Sequence, residues 1–193
     1  LIKRCNMLKE NTCVFISGQG SNLKNLILRS RDNSFPINIK LIITNNKNAY
    51  GIIYAKKNSI PYIVLKKESR NYENILLQNL KKNKISLICL AGYMKILSKN
   101  FIEKFGKQII NIHPSLLPKF KGLNTFSRIL KNKEKKTGST VHYVNKKLDS
   151  GQIVAQKSFF ISANDNEVSL KRKTQKIERQ IFPEAIIKIF RYY

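Results

Sequence analysis

The feature that most constrains this chain is a regular alternation of short apolar runs with longer amphipathic stretches. Thr12-Cys13-Val14-Phe15-Ile16 reads as a strand buried on both faces. Residues 22–31 follow, with Leu23, Leu26 and Ile27 at helical spacing. The pattern continues with strands over 37–44, 62–65, 87–91 and 107–112, and helices over 49–58, 69–83 and 99–105. Such alternation predicts an α/β fold: a parallel sheet covered by helices on both faces. After residue 112 the pattern changes. Residues 139–145 and 152–161 read as longer, more alternating strands joined around Leu148-Asp149-Ser150-Gly151, an antiparallel extension. A final helix carries Leu170, Thr174, Ile177, Ile181, Ala185 and Ile189 near one stripe. Asn164 or Asp165 is its expected cap, Glu167 its first-turn acid, and Pro183 is expected to kink or break it near Phe182.

A chain of 193 residues suits one globular domain, 1–193, and 42% hydrophobic residues exclude a disordered chain. No apolar run approaches the ~20 residues needed to cross a bilayer, so no membrane role is expected. Residues 1–6 are too short and polar for a secretory signal, and Met7 is the expected true start. Cys13 and Cys89 sit in apolar runs, and with Cys5 they give neither disulfide nor zinc spacing. A cytoplasmic location is the expectation. The net charge of +26 raises the question of a polyanionic partner. The basic residues are scattered, as in Lys56-Lys57, Lys81-Lys82 and Lys171-Arg172-Lys173, without aromatic interleaving of the kind that stacks bases. Lys, Asn and Ile are abundant together, which fits a bias toward A/T-rich codons. The expected reading is a solvated basic surface with no specific nucleic-acid partner.

Three features carry chemistry. Gly18-Gln19-Gly20-Ser21-Asn22 links a strand to a helix, where free backbone N–H groups and the helix end suit an anion. No Gly-Lys-Ser/Thr follows, and Leu23 occupies the third glycine position of the dinucleotide fingerprint. A phosphate monoester therefore fits better than a dinucleotide, although a tight turn alone also accounts for the glycines. Asn111-Ile112-His113-Pro114-Ser115-Leu116-Leu117-Pro118 lies past the carboxyl end of the fifth strand. Asn111 and His113 at i and i+2 face one cleft, and an amide donor beside an imidazole suits acyl transfer. Asp149 lies in a turn. It joins that chemistry only if the turn folds over His113; otherwise it is a local backbone cap. His142 reads as a structural strand residue near the site. Two isolated histidines give no metal-ligand spacing, so no metal is expected. No serine sits in a nucleophile elbow.

Taken in order, these motifs resemble the glycinamide ribonucleotide formyltransferase family. The matching stretches are residues 16–23, 90–97, 111–119, 138–142 and 148–151, which run through most of the chain. The resemblance implies a Rossmann-like formyltransferase fold, with 10-formyltetrahydrofolate as co-substrate and glycinamide ribonucleotide as acceptor in purine (IMP) synthesis. By the same resemblance Gly20, Ser21 and Asn22 bind the ribonucleotide, chiefly its phosphate, with further contacts from Gln175 and Glu178. Met94, Lys95, Ile96 and Leu97 match the wall that holds the folate pterin. Asn145, Lys146, Lys147 and Leu148 match a loop that closes over the folate, and Arg70 matches a contact to its tail. The implied reaction is direct transfer through a tetrahedral intermediate. Asn111 would donate to the oxyanion, His113 would take or relay the proton, and Asp149 would orient His113. The chain departs from the family pattern at Lys95, where arginine is common, and at Ser150, where glycine is common.

Two related enzymes and one binding protein compete with this reading. A formyltetrahydrofolate hydrolase would carry histidine in place of Pro114 and an additional N-terminal domain. A methionyl-tRNA formyltransferase, which the charge favours, would add a C-terminal RNA-binding domain. A basic RNA-binding module with a relict enzyme fold would not need Asn111, His113 and Asp149 together. The oligomeric expectation is a monomer or weak homodimer.

Overall fold

The computed structural model describes residues 8–65 and 71–190. The expected start at Met7, the beginning of the third helix at Ser69, and Arg70 lie outside the described residues. The strands are β1 (Glu10–Ile16), β2 (Ile37–Thr44), β3 (Tyr62–Val64), β4 (Leu87–Leu90), β5 (Gln108–His113), β6 (Lys136–Tyr143) and β7 (Ile153–Phe160). The helices are α1 (Ser21–Ser30), α2 (Ile52–Lys57), α3 (Tyr72–Lys82), α4 (Lys99–Phe105), α5 (Thr125–Lys131) and α6 (Glu167–Phe190). Sheet order is β3-β2-β1-β4-β5-β6-β7. Every pair from β3 to β5 is parallel, and β5–β6 and β6–β7 are antiparallel.

Residue alternation along β1 explains the two cores. Val14 and Ile16 pack into one, with α1, α2 and α6. Cys13 and Phe15 pack into the other, with α3 and α4. The Cys13 and Cys89 thiols are fully buried, and burial pushes their pKa values up, which removes them from reactivity at neutral pH. The sequence walks outward from β1 through β2 to β3, then returns to place β4 on the other side of β1. That reversal opens a crevice at the carboxyl ends of the strands. Ser17 fastens its two lips: its Oγ accepts from the Met94 N–H at 2.8 Å.

Several expectations are corrected. α6 runs through Pro183 without a break. Proline cannot donate to the carbonyl four residues back, that of Arg179. Asn25 on α1 supplies the missing donor instead: its Nδ2 lies 2.7 Å from the Arg179 oxygen. The cap of α6 is Asn166, not Asn164 or Asp165. Asn166 Oδ1 accepts from the Ser169 N–H, and Ser169 Oγ accepts from the Asn166 N–H, each at 3.0 Å. The sixth strand begins three residues earlier than the pattern suggests, at Lys136, and ends at Tyr143. The short helix α5 is an addition to the elements expected from the pattern.

Candidate active site

A cleft of about 980 Å³ opens at the carboxyl ends of β4, β5 and the start of β6's outgoing loop. β5 delivers Asn111 and His113 to one side of the sheet. β6 runs antiparallel beside it, with Asn111 opposite His142 and His113 opposite Thr140. Directly opposed residues on one face touch, so this register brings His142 to Asn111. Asn111 Nδ2 lies 3.2 Å from His142 Nε2. Ser139 Oγ donates to the His113 carbonyl at 2.8 Å, and Thr140 Oγ1 donates to the Ser115 carbonyl at 2.6 Å. These bonds hold the loop that follows His113 against β6.

The β6–β7 turn does fold over His113. Asp149 adopts the left-handed region, with φ 44°, and places Oδ2 at 3.4 Å from His113 Nδ1. Its Oδ1 lies 3.6 Å from His142 Nε2. The Gly122 N–H donates to Asp149 Oδ2 at 2.8 Å. Gly151 closes the base of the turn, where an added Cβ would lie 1.7 Å from the Tyr143 oxygen. His113 Nε2 sits 2.9 Å from the Phe120 carbonyl. A carbonyl only accepts, so Nε2 carries a hydrogen and Nδ1 is the nitrogen that gains or loses one.

Electrostatics follow from this packing. Burial pulls the His113 pKa below 6.5, and the Asp149 charge and the Phe120 carbonyl only partly oppose it. His113 is therefore uncharged at neutral pH and able to take a proton. Burial pushes Asp149 upward, but the Gly122 N–H, 2.8 Å from Oδ2, and the neighbouring His113 ring hold its carboxyl below the usual range; His142 Nε2 is too far from Oδ1 to donate to it. Asp149 is therefore a carboxylate, aimed at the nitrogen where the imidazolium proton would sit.

At one end of the cleft, α1 begins at Ser21 with Gly20 as its cap in the left-handed region at φ 70°. An added Cβ on Gly20 would lie 2.7 Å from the Gly51 Cα, so the backbone itself requires glycine there. No side chain caps these amides and no acid lies in the first turn. Asn22 lines the cleft, whereas Gly20 and Ser21 do not reach its lining. Asn22 Nδ2 donates to Glu178 Oε2 at 2.8 Å, while its buried Oδ1 has no partner among the described residues. Burial raises the Glu178 pKa, and the Asn22 amide and Arg179 only partly counter it. Gln175 lines the same wall.

At the other end the wall is apolar but open. Met94, Ile96, Leu123, Leu148 and Val168 all line the cleft, each more than half exposed. Leu97 is buried behind them. Lys95, where arginine is common in the family, places its Nζ 3.5 Å from the centre of the Tyr72 ring. Asn145, Lys146, Lys147 and Leu148 line the rim, and Lys146 pairs with Glu103 of α4. Ser150 donates to the Leu148 carbonyl at 2.8 Å and accepts from Lys121 Nζ at 2.5 Å. The structure thus brings together every expected site residue it describes, except that Gly20 and Ser21 stand back from the cleft. Sequence reasoning missed Leu123, Val168 and Lys171, and the Phe120 and Gly122 backbone. Val168 and Lys171 had a signal, since 168, 171, 175 and 178 share one helical face with Gln175 and Glu178.

A family profile described as formyl transferase matches residues 10–186. The chain belongs to the formyl transferase family. It is 40% identical over 179 residues to the phosphoribosylglycinamide formyltransferase of Haemophilus influenzae, covering 90% of this chain and 84% of that protein. It is 38% identical over 190 residues to the trifunctional purine biosynthetic protein adenosine-3 of Drosophila melanogaster. That match covers 95% of this chain and only 14% of the larger protein. The crystal structure of phosphoribosylglycinamide formyltransferase from Brucella melitensis superposes with a TM-score of 0.87 at 36% identity, covering 94% of this chain and 95% of that one.

Proposed function

We infer that this chain transfers the formyl group of 10-formyltetrahydrofolate directly to the amine of glycinamide ribonucleotide, a step of de novo purine (IMP) synthesis. The observation that carries this reading is Asp149, folded over His113 beside Asn111, at the centre of a cleft with one polar and one apolar end. The polar end suits the ribonucleotide. Free amides at the start of α1, from Gly20 to Asn22, favour its phosphate. Glu178 and the Asn22 oxygen offer acceptors to sugar hydroxyls, and Gln175 stands beside them. The apolar end fits a flat ring system: Met94, Ile96 and Leu97 form the wall, and Leu148 the cover. Lys95, Lys146 and Lys147, with Arg70, supply cations for an acidic tail.

The folate, when bound, supplies an electrophilic formyl carbon. Asn111 donates an N–H to the formyl oxygen as it gains negative charge, and this preorganised donor lowers the barrier. His113 accepts the proton released from the attacking amine, and Asp149 stabilises the imidazolium that results; as the bond between the formyl carbon and the folate nitrogen breaks, that proton is passed to the departing nitrogen, which leaves as tetrahydrofolate. The loop over residues 145–148 shelters the formyl group from water. No metal and no specific nucleic acid enters this scheme. The protein acts in the cytoplasm as a monomer or weak homodimer.

Incubation with 10-formyltetrahydrofolate and glycinamide ribonucleotide should yield formylated ribonucleotide by mass spectrometry. Folate deformylation that leaves the ribonucleotide unchanged would overturn the assignment in favour of a hydrolase.

A further inference from the structure

His142 is fully enclosed and stands outside the scheme above, yet its two nitrogens are both engaged. Nδ1 lies 2.8 Å from the Tyr143 carbonyl. A carbonyl only accepts, so Nδ1 carries a hydrogen, and in the uncharged ring Nε2 presents a lone pair. That lone pair faces Asn111 Nδ2 at 3.2 Å. An amide has one donor end and one acceptor end, and a lone pair selects the donor. The ring therefore decides which way the Asn111 amide is turned. One N–H of Asn111 is held by His142, and its second N–H lies in the same rigid amide plane. Asp149 Oδ1 stands 3.6 Å from the same Nε2, too far for a hydrogen bond. The ring is thus a rigid spacer between Asn111 and Asp149, fixed at its far side by the strand backbone.

We propose that His142 is a positioning residue that holds the Asn111 amide with its donor end toward the reacting centre. The proposal rests on the role given to Asn111 above. Without the ring, nothing from β6 prevents the amide from turning over. It would then offer an oxygen to a developing negative charge. The donor would be lost and a repulsion added, with the substrates' other contacts intact. The effect belongs to turnover rather than binding.

Two substitutions separate positioning from simple packing. In His142→Gln the terminal amide reaches the place of Nε2 and its oxygen can accept from Asn111. In His142→Asn the shorter side chain reaches only the place of Nδ1 and leaves Asn111 without that acceptor. Losing one oxyanion donor costs about 10²–10³-fold in kcat. We expect His142→Asn to fall by about 10²-fold and His142→Gln by less than about 5-fold, with KM for both substrates within about twofold. In an Asn111→Ala background the two substitutions should differ by less than about twofold, because their target is gone. A third readout needs no substrate. Long-range 1H–15N NMR of the wild-type ring should show His142 protonated on Nδ1 and His113 on Nε2.

Equal losses in the Gln and Asn variants, a difference that survives Asn111→Ala, or a wild-type His142 ring protonated on Nε2 would each overturn the proposal. The two readings fail separately. Wild-type turnover in Asn111→Ala removes Asn111 from the reaction and this proposal with it. A crippled Asn111→Ala beside two equally active position-142 variants removes only the proposal. Should either variant not fold, the NMR of the wild-type protein still decides.

Discussion

The carboxyl ends of β1 and β5 face the same cleft but are built from different material. At β1 the backbone shapes the loop that brings Asn22 to the cleft: a left-handed glycine, uncapped amides, and a glycine–glycine contact that admits no Cβ. At β5 side chains make it: Asn111, His113, His142 and Asp149, drawn from two strands and a turn. Backbone sites are specified by residues that must be small and lie together in sequence. Side-chain sites are specified by register and by how a distant turn folds.

The comparison can be broken hardest at β5. His113→Ala and Asp149→Asn should each lower kcat by about 10²–10⁴-fold with little change in KM, since each removes part of a positioned proton-transfer pair. Stopped-flow or steady-state kinetics would check it. The pH profile sharpens the assignment. Wild-type activity should rise through a His113 pKa below 6.5 as His113 loses its proton. Asp149 raises that pKa, so the residual activity of Asp149→Asn should show its acid limb at still lower pH. A limb shifted upward would contradict the arrangement.

At β1 the expected failure is different in kind. Gly20→Ala forces an L side chain into the left-handed region, costing about 1–2 kcal/mol, and against Gly51 as well. On the proposed reading KM for the ribonucleotide should rise about tenfold while kcat moves less than about threefold, because the strain falls on the amides at the start of α1 rather than on the residues around His113. A variant that loses kcat instead would show that the two ends are not independent.

Smaller effects probe the wall between the ends. Glu178 has a raised pKa in the fold, so ionising it costs stability as pH rises above its ordinary value of 4.5. Glu178→Gln should therefore melt higher than wild type at pH 8, and the gain should vanish below pH about 4.5, where both side chains are neutral. The same variant should bind the ribonucleotide more weakly. Smallest of all, Asn25→Ala should cost about 0.5–1.5 kcal/mol in urea denaturation, the worth of one hydrogen bond to the Arg179 carbonyl.

The parallel half was legible because both faces of β1, β2 and β4 are buried, which leaves unbroken apolar runs such as 12–16 and 87–90. Asn111, His113 and Asp149 were legible as residues but not as a contact. Nothing local to Asp149 says that its turn reaches His113, and that depends on Gly151 closing against Tyr143 and on the Gly122 amide. That His142 meets Asn111 was not legible, because the pairing is a fact of register between β5 and β6. The expected break at Pro183 fails for a similar reason. The rule that proline breaks helices counts hydrogen bonds within one helix, and Asn25 answers from another.

That last bond has an evolutionary consequence. Positions 25 and 183 lie far apart in the sequence, yet neither can drift freely. A change at 25 that loses the amide costs about 0.5–1.5 kcal/mol while proline remains, and is nearly silent once a residue with its own N–H occupies 183. The order in which a lineage acquires the two changes therefore matters. A proline arriving before the asparagine passes through a weakened ancestor, whereas the reverse order does not.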